Sequence, residues 1–233
     1  MPSVSLTKRL SAIFDLIENG SVVSDIGTDH AFLPIKLIES GKCKKVIASD
    51  IVDGPLMSAK KNITAHNIFE GIELVKSDGL ENVVKFSPDT IVIAGMGGET
   101  ISDILNASDY PQKSGATLIL QPMTHAEVLR NYLFENSFEI CDEIVVREDN
   151  RFYIIIVSRY LTLHENLALQ SDTLCKNAEL GTIIKTSKQC GEEYLLWRKS
   201  VTERTLNQLK SSNNNSQKEY FTDLLNDIEQ RLK

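Results

Sequence analysis

The first 160 residues alternate short apolar runs with stretches of helical period. Residues 22–26, 45–50, 72–76, 90–94, 116–121, 138–146 and 152–158 read as strands. Residues 5–18, 31–40, 54–66, 97–107 and 124–135 read as helices. The runs TIVIA (90–94) and ATLILQ (116–121) are apolar at nearly every position. A strand with one wet face would alternate. These runs call for burial on both faces, as in a parallel sheet covered by helices. Strand–helix alternation implies right-handed βαβ units and an open, doubly wound sheet.

The last two strands break the alternation. Only residues 147–151 (REDNR) separate them. A parallel crossover needs a dozen residues or more, so this pair forms a hairpin. Seven strands with an antiparallel last strand differ from the all-parallel dinucleotide-binding sheet. By analogy of fold alone they suit the Rossmann-like methyltransferase sheet. Beyond residue 160 the strand pattern disappears. Residues 164–188 lean helical but irregularly. Residues 190–211 read as a helix, with Leu195, Thr202, Leu206 and Leu209 at heptad-like spacing and Lys199 interrupting the stripe. SSNNNS (211–216) marks a turn. The final helix carries Phe221, Leu225, Ile228 and Leu232 at 4-3-4 spacing. The expected architecture is an α/β domain over 1–160 and a C-terminal helical hairpin, a coiled coil, over 161–233.

Composition narrows the class. Of 233 residues, 42% are apolar, which excludes a disordered chain. No run approaches ~20 uncharged apolar residues, so no membrane span is expected. Lys8 and Arg9 precede any long apolar run, unlike a signal peptide, and a cytoplasmic protein is the expectation. Cys43, Cys141, Cys175 and Cys190 are scattered without a C-x-x-C pair, so no metal site is expected. The net charge is −7. Residues 1–160 hold 15 basic against 22 acidic residues, and residues 161–233 hold 10 against 10. A nucleic-acid partner would therefore need a local basic patch. Lys42, Lys44 and Lys45, with Lys36, Lys60 and Lys61 nearby, form one candidate. Arg198, Lys199 and Arg204 form another.

The chemistry collects at strand ends. The first strand runs into DIGTDHAFLP, residues 25–34. In open α/β sheets, nucleotide ligands sit at this first loop. A dinucleotide fingerprint wants G-x-G-x-x-G beside a pyrophosphate. Here Gly27 stands alone between Asp25 and Asp29, and two carboxylates would repel a pyrophosphate. They suit S-adenosylmethionine, which carries an ammonium, a sulfonium and no phosphate. The plainer reading is a strand–helix turn with Thr28 or Asp29 as N-cap. Asp50 ends the second strand, where an acid can bond ribose hydroxyls. Asp78 and Gly79 follow the third, where an Asp can accept from an adenine amino group and a Gly admits the base. The fourth strand ends in AGMGGE, residues 94–99, with three glycines in four positions. A glycine-rich turn or an anion site at a helix N-terminus would also fit this run. Gln121 and Pro122 end the fifth strand on the same rim.

Taken together, LTKRL, DIGTDHAFLP, the D-x-x-x-GPL segment at 50–56, SDGL, IVIAGMGG and LILQP resemble the bacterial tRNA (adenine(22)-N1)-methyltransferases. The resemblance covers about residues 5–160 with the motifs in the family's order, and the helical tail fits the family's coiled-coil domain. The family pattern has Tyr where Phe32 stands and Asn where Met123 stands. The resemblance implies S-adenosylmethionine as cofactor and tRNA as partner. It implies that Asp25, Gly27, Thr28, Asp29, His30, Asp50, Ile51, Asp78 and Gly79 hold the cofactor, with Asp25 and Asp29 facing the methionine part, Asp50 the ribose and Asp78 the adenine. Ala94, Gly95, Met96 and Gly97 would line the methyl-transfer side, and Arg9 or Lys8 would meet the methionine carboxylate. N1 of adenine is neutral with a free lone pair, so catalysis becomes alignment for in-line displacement. Asp29 is the candidate to stabilise charge developing on the ring.

Two other classes remain open from sequence. One is a small-molecule or protein methyltransferase on the same fold. The other is a non-catalytic nucleotide-binding protein. The oligomeric state, monomer or weak dimer, is left undetermined.

Overall fold

The computed structural model describes residues 4–161, 178–181, 188–210 and 214–233. Seven strands form one sheet: β1 (Val22–Ile26), β2 (Lys45–Asp50), β3 (Ile72–Lys76), β4 (Thr90–Gly97), β5 (Thr117–Thr124), β6 (Phe138–Glu148) and β7 (Arg151–Tyr160). The spatial order is β3-β2-β1-β4-β5-β7-β6. β1 to β5 pair in parallel, and β7 lies antiparallel to both β5 and β6. The expected hairpin is therefore present, and all seven strands fall where the apolar pattern puts them.

The helices are α1 (Lys8–Leu16), α2 (Phe32–Glu39), α3 (Asp53–Ala65), α4 (Gly98–Asn106), α5 (Tyr110–Ser114), α6 (Ala126–Glu135), α7 (Lys188–Leu209) and α8 (Asn215–Arg231). The short α5 was not expected; Pro111 in its first turn supplies the helical φ. Both faces of the central strands are dry. Ile91 and Ile93 of β4 and Leu118 and Leu120 of β5 face α4 and α6, with Ile101, Leu105, Leu129 and Leu133. Val92 and Ile119 face the other way, with Ile13 of α1, Ile17 just past its end, and Leu33 and Leu37 of α2. This double burial is why TIVIA and LILQ carry no alternation.

β6 changes face partway along. Its pairing with β7 slips between Ile140 and Asp142, so Cys141 is an extra residue. Phe138 and Ile140 before the slip therefore share a face with Glu143 and Val145 after it. The bulge thus turns a carboxylate, Glu143, toward the core under α6.

α7 and α8 pair through Leu195, Leu224 and Ile228, with Leu180. On α8 the buried stripe is Phe221, Leu224, Ile228 and Leu232, rather than one through Leu225. Asn214 caps α8 by accepting from the Gln217 N–H, so part of the expected SSNNNS turn begins the helix. Lys199 does not break the hairpin: it crosses to Glu229 on α8 at 2.8 Å. Tyr194 of α7 packs into the sheet core instead. The helix-leaning segment 164–188 lies outside the described residues except at 178–181 and 188. Among the described residues no helix is long and apolar enough to cross a membrane.

Candidate active site at the carboxyl rim of the sheet

Because β1 to β5 are parallel, the loops after them meet along one edge. After Ile26 the chain turns at Gly27, with φ +76°. The N–H groups of Gly27 and Thr28 both donate to the Ser49 carbonyl at 2.8 Å, tying this loop to the end of β2. A Cβ at Gly27 would collide with the Met96 methyl group. Glycine is what lets β4 close against the β1 loop.

Neither Thr28 nor Asp29 caps the next helix. α2 starts at Phe32, and its N-cap position is Ala31 in a left-handed conformation, with no side-chain cap. This removes the plainer reading of the loop. The Thr28 hydroxyl is buried beside the Asp25 carboxyl. Asp29 stays 76% exposed and His30 46%, with 3.3 Å between them, and the His30 ring stacks on Phe32. Asp29 stands at the mouth of the site, open to solvent.

Asp25 lies beneath them at the end of β1. Burial pushes its carboxyl up from 3.8 to about 6, Asp50 adds to the rise, and the nearby Thr28 hydroxyl tempers it. Among the described residues no basic side chain pairs with it. A buried carboxylate without a cation is costly unless a ligand supplies one.

The acids of β2 and β3 line the same rim. One Asp50 oxygen accepts from the Val52 N–H at 2.8 Å, and Ile51 beside it is exposed. The Ser77 N–H donates to the Asp50 carbonyl, which joins the two strand ends. Asp78 is exposed beyond them. Gly79 has φ +48°, and a Cβ there would crowd Ile104 at 3.1 Å.

β4 loosens at the rim. Its register with β5 slips between Ala94 and Met96, and Gly95 takes φ +83°. The Gly95 N–H donates to Gln121 Oε1 at 3.2 Å. Arg9 Nη1 donates to the same oxygen, and the guanidinium lies 5.7 Å over the Tyr153 ring. A Cβ on Gly95 would meet Arg9 Nη1 at 3.6 Å. Arg9 therefore sits at the rim, held by β5 and β7, and is not a loose surface charge. Lys8 does not join it. It lines a separate cavity of about 710 Å³ with Arg147, Asp149, Cys190 and Glu193. Gly97 follows, and at Gly98 a Cβ would collide with the His125 carbonyl, so the starts of α4 and α6 meet here.

The structure thus brings Arg9, Asp25, Gly27, Thr28, Asp29, His30, Asp50, Ile51, Asp78, Gly79, Ala94, Gly95, Met96 and Gly97 to one edge. Sequence reasoning missed three parts. Gln121 was placed on the rim, but its joint hold on Gly95 and Arg9 was not foreseen; a buried amide ending an apolar run is the clue. Tyr153 carried no signal. The third is the pair of acids around His125: from sequence it reads as a surface or cap position, and it does take the N-cap position of α6, but it also stands between Glu99 and Glu127, whose contacts raise its pKa, Glu127 most. Of the basic residues considered for phosphate, Lys42 donates to the Phe14 and Asp15 carbonyls, and Arg198 and Lys199 pair with Glu179 and Glu229. Lys44, Lys60 and Lys61 stay exposed. Among the described residues no group of His, Cys, Asp or Glu could hold a metal ion.

This geometry has relatives. The Bacillus subtilis tRNA (adenine(22)-N(1))-methyltransferase is 38% identical over 158 residues, a stretch that is 68% of this chain and 66% of that protein's length. The crystal structure of the B. subtilis M1A22 tRNA methyltransferase TrmK matches with a TM-score of 0.82 at 28% identity, over 99% of this chain and 100% of that one. A putative tRNA (m1A22) methyltransferase of Streptococcus pneumoniae, in complex with S-adenosyl-L-methionine, matches at 0.81 and 27% identity, over 98% and 100%. The likeness to both structures runs through the helical pair. Residues 6–156, which carry the whole rim, match the family described as a methyltransferase domain, and to that family the chain belongs.

Proposed function

We propose that this chain transfers the methyl group of S-adenosylmethionine to N1 of adenine 22 in tRNA, as its B. subtilis relative is named for doing. The observation that carries the reading is Asp25: a carboxylate buried beneath the first loop, with no basic partner among the described residues. A ligand bearing an ammonium and a sulfonium supplies the missing charge, and a phosphate ligand does not. The likeness to the S. pneumoniae protein solved in complex with S-adenosyl-L-methionine supports that choice.

When bound, S-adenosylmethionine supplies a methyl group made electrophilic by its sulfonium. Asp25, Gly27, Thr28, Asp29 and His30 hold its methionine part, and Arg9 meets the carboxylate beside Gly95. Asp50 and Ile51 take the ribose, and Asp78 and Gly79 the base. Ala94, Gly95, Met96 and Gly97 keep side-chain bulk low where acceptor and donor meet. The acceptor nitrogen needs no proton removed, so the protein's task is alignment and exclusion of water. Asp29, solvent-facing at the mouth, is placed to stabilise positive charge on the methylated ring. In paired RNA the N1 edge is covered, so the base must be exposed before transfer. We assign residues 1–160 to the cofactor and residues 161–233 to a helical domain serving the RNA, in the cytoplasm.

The test is transfer from labelled S-adenosylmethionine to unmethylated bulk tRNA, followed by nucleoside digestion. 1-Methyladenosine is expected, and Asp29→Ala or Asp78→Ala should abolish or sharply reduce it. Cofactor binding without transfer to any tRNA would sink the RNA reading and point to a small-molecule acceptor.

A further inference from the structure

The fold contains a second buried carboxylate, and it is built differently. Glu143, turned inward by the β6 bulge, receives Arg130 Nε of α6 at 2.7 Å. Both side chains are essentially inaccessible, at 0% and 1% exposure. Of the other two Arg130 nitrogens, Nη2 is buried without a hydrogen-bond partner among the described residues, and Nη1 reaches beyond the α/β domain. Nη1 donates to the carbonyls of Ala178 and Glu179. Gly181, with φ +58°, sits against the pair so closely that a Cβ would strike both Glu143 and Arg130.

The same turn, residues 178–181, is gripped from the other side by the helical pair. The Glu179 carboxylate accepts from Arg198 of α7 and from the Tyr220 hydroxyl of α8, the latter at 2.6 Å. Arg231 of α8 donates to the Gly181 carbonyl. Leu180 is fully buried in the α7–α8 core. One four-residue turn therefore joins α6, β6, α7 and α8.

Its position relative to the rim gives the turn a purpose. α6 begins at His125, whose carbonyl touches Gly98 beside the methyl-transfer side. Arg130 lies five residues further along the same helix. The helical pair is thus moored, through Arg130, to the helix whose start forms the lip of the site.

Building on the tRNA reading, we infer that the Ala178–Gly181 turn is a clasp that holds the helical pair against the lip of the methyl-transfer site, with Arg130, Glu143 and Glu179 as positioning residues for a polynucleotide acceptor. A small acceptor would need no such mooring. A folded RNA reaches past the rim, and its target base is presented correctly only if both contact surfaces keep a fixed relation.

The test uses the full chain. Gly181→Ala drives a methyl group into the clasp. Glu179→Ala removes the bonds to Arg198 and Tyr220 and leaves the Arg130–Glu143 pair intact, so it remains informative should Gly181→Ala fail to fold. KM and kcat for unmethylated tRNA are measured alongside calorimetric affinity for S-adenosylmethionine. The expected result is a KM for tRNA raised about tenfold, with cofactor affinity within about twofold. Glu179→Arg combined with Arg198→Glu should regain most of the loss. Unchanged KM in Glu179→Ala, or equal loss of cofactor affinity, would overturn the clasp. If the unaltered chain methylates tRNA and the variants match it, only the clasp fails. If it methylates no tRNA, the reading beneath fails and takes the clasp with it.

Discussion

Asp25 and Glu143 are both buried carboxylates on strands of one sheet, and their surroundings differ in kind. Glu143 has a guanidinium at 2.7 Å, and that guanidinium is itself bonded to backbone carbonyls. Among the described residues Asp25 has no basic partner, and another acid, Asp50, lies nearby. Burial of charge is tolerated when paired and costly when not. The paired acid marks a joint whose charge the folded chain neutralises by itself. The unpaired one marks a place the chain leaves for something else. Pairing of the charge, more than burial, separates architecture from site here.

The contrast breaks most visibly at the joint. Arg130→Met leaves Glu143 buried without its cation and should lower stability by about 3–5 kcal/mol. Arg130→Met with Glu143→Met replaces the whole pair by apolar side chains and should recover most of that loss. Urea midpoints of the two variants decide the matter. A double variant as unstable as the single one would mean that the mooring to residues 178–181, not charge pairing, stabilises this region.

Asp25→Asn should act with the opposite sign. The folded carboxyl titrates at about 6 and an ordinary one at 3.8. Between these values the folded chain holds a proton that the unfolded chain has lost. Asp25 is therefore neutral to stability below about pH 4, costs stability as pH rises through 6, and keeps that cost above. A gap of about 2 pH units corresponds to at most about 3 kcal/mol. Asp25→Asn should stabilise the ligand-free chain by up to that amount at pH 8, change little at pH 4, and abolish transfer. S-adenosylmethionine should bind the unaltered chain more weakly below pH 6, and Asp25→Asn should flatten that dependence. Melting temperatures and calorimetry across pH 4 to 8 check both. Destabilisation at pH 8 would show that Asp25 is satisfied by the protein after all.

Much of this contrast was legible in the sequence, and unevenly. The sheet was, because strands buried on both faces have no alternation to blur and the five-residue REDNR gap forces a hairpin. Asp25, Asp50, Asp78 and the 94–97 glycines were, because a parallel sheet sends every strand end to one rim. The joint was not. Arg130 reads as a charge on an amphipathic helix, and Glu143 as an outward residue, until the Cys141 bulge shifts the phase of β6. A bulge leaves no mark in hydrophobic spacing beyond a broken alternation. The α8 stripe was misassigned for a related reason: adjacent leucines at 224 and 225 satisfy either phase, and only the partner helix decides. Arg9 was legible as a candidate, but how it is held was not, because its partners, Gln121 and Tyr153, are more than a hundred residues away.

The smallest expected effect sharpens the comparison furthest. Gly27 at the rim and Gly181 at the joint share a left-handed φ, and a Cβ on either would collide with a neighbour. The neighbours differ. At Gly181 the methyl group meets a buried ion pair held from several sides. At Gly27 it meets the end of Met96, a partly buried, unbranched side chain with rotatable bonds. Gly27→Ala should therefore cost about 1–2 kcal/mol, chiefly the left-handed backbone of an L-residue, because Met96 can swing aside. Met96→Ala added to Gly27→Ala should relieve little more. Gly181→Ala should cost more, because its neighbours have nowhere to go. Urea midpoints for the three variants test the ranking. Displaced Met96 would also intrude on the site, so Gly27→Ala should weaken S-adenosylmethionine binding more than it weakens the fold, whereas Gly181→Ala should leave that binding alone. If both substitutions cost the same and neither touches cofactor affinity, the rim is packed like the joint, and the distinction drawn from Asp25 and Glu143 does not extend to the backbone around them.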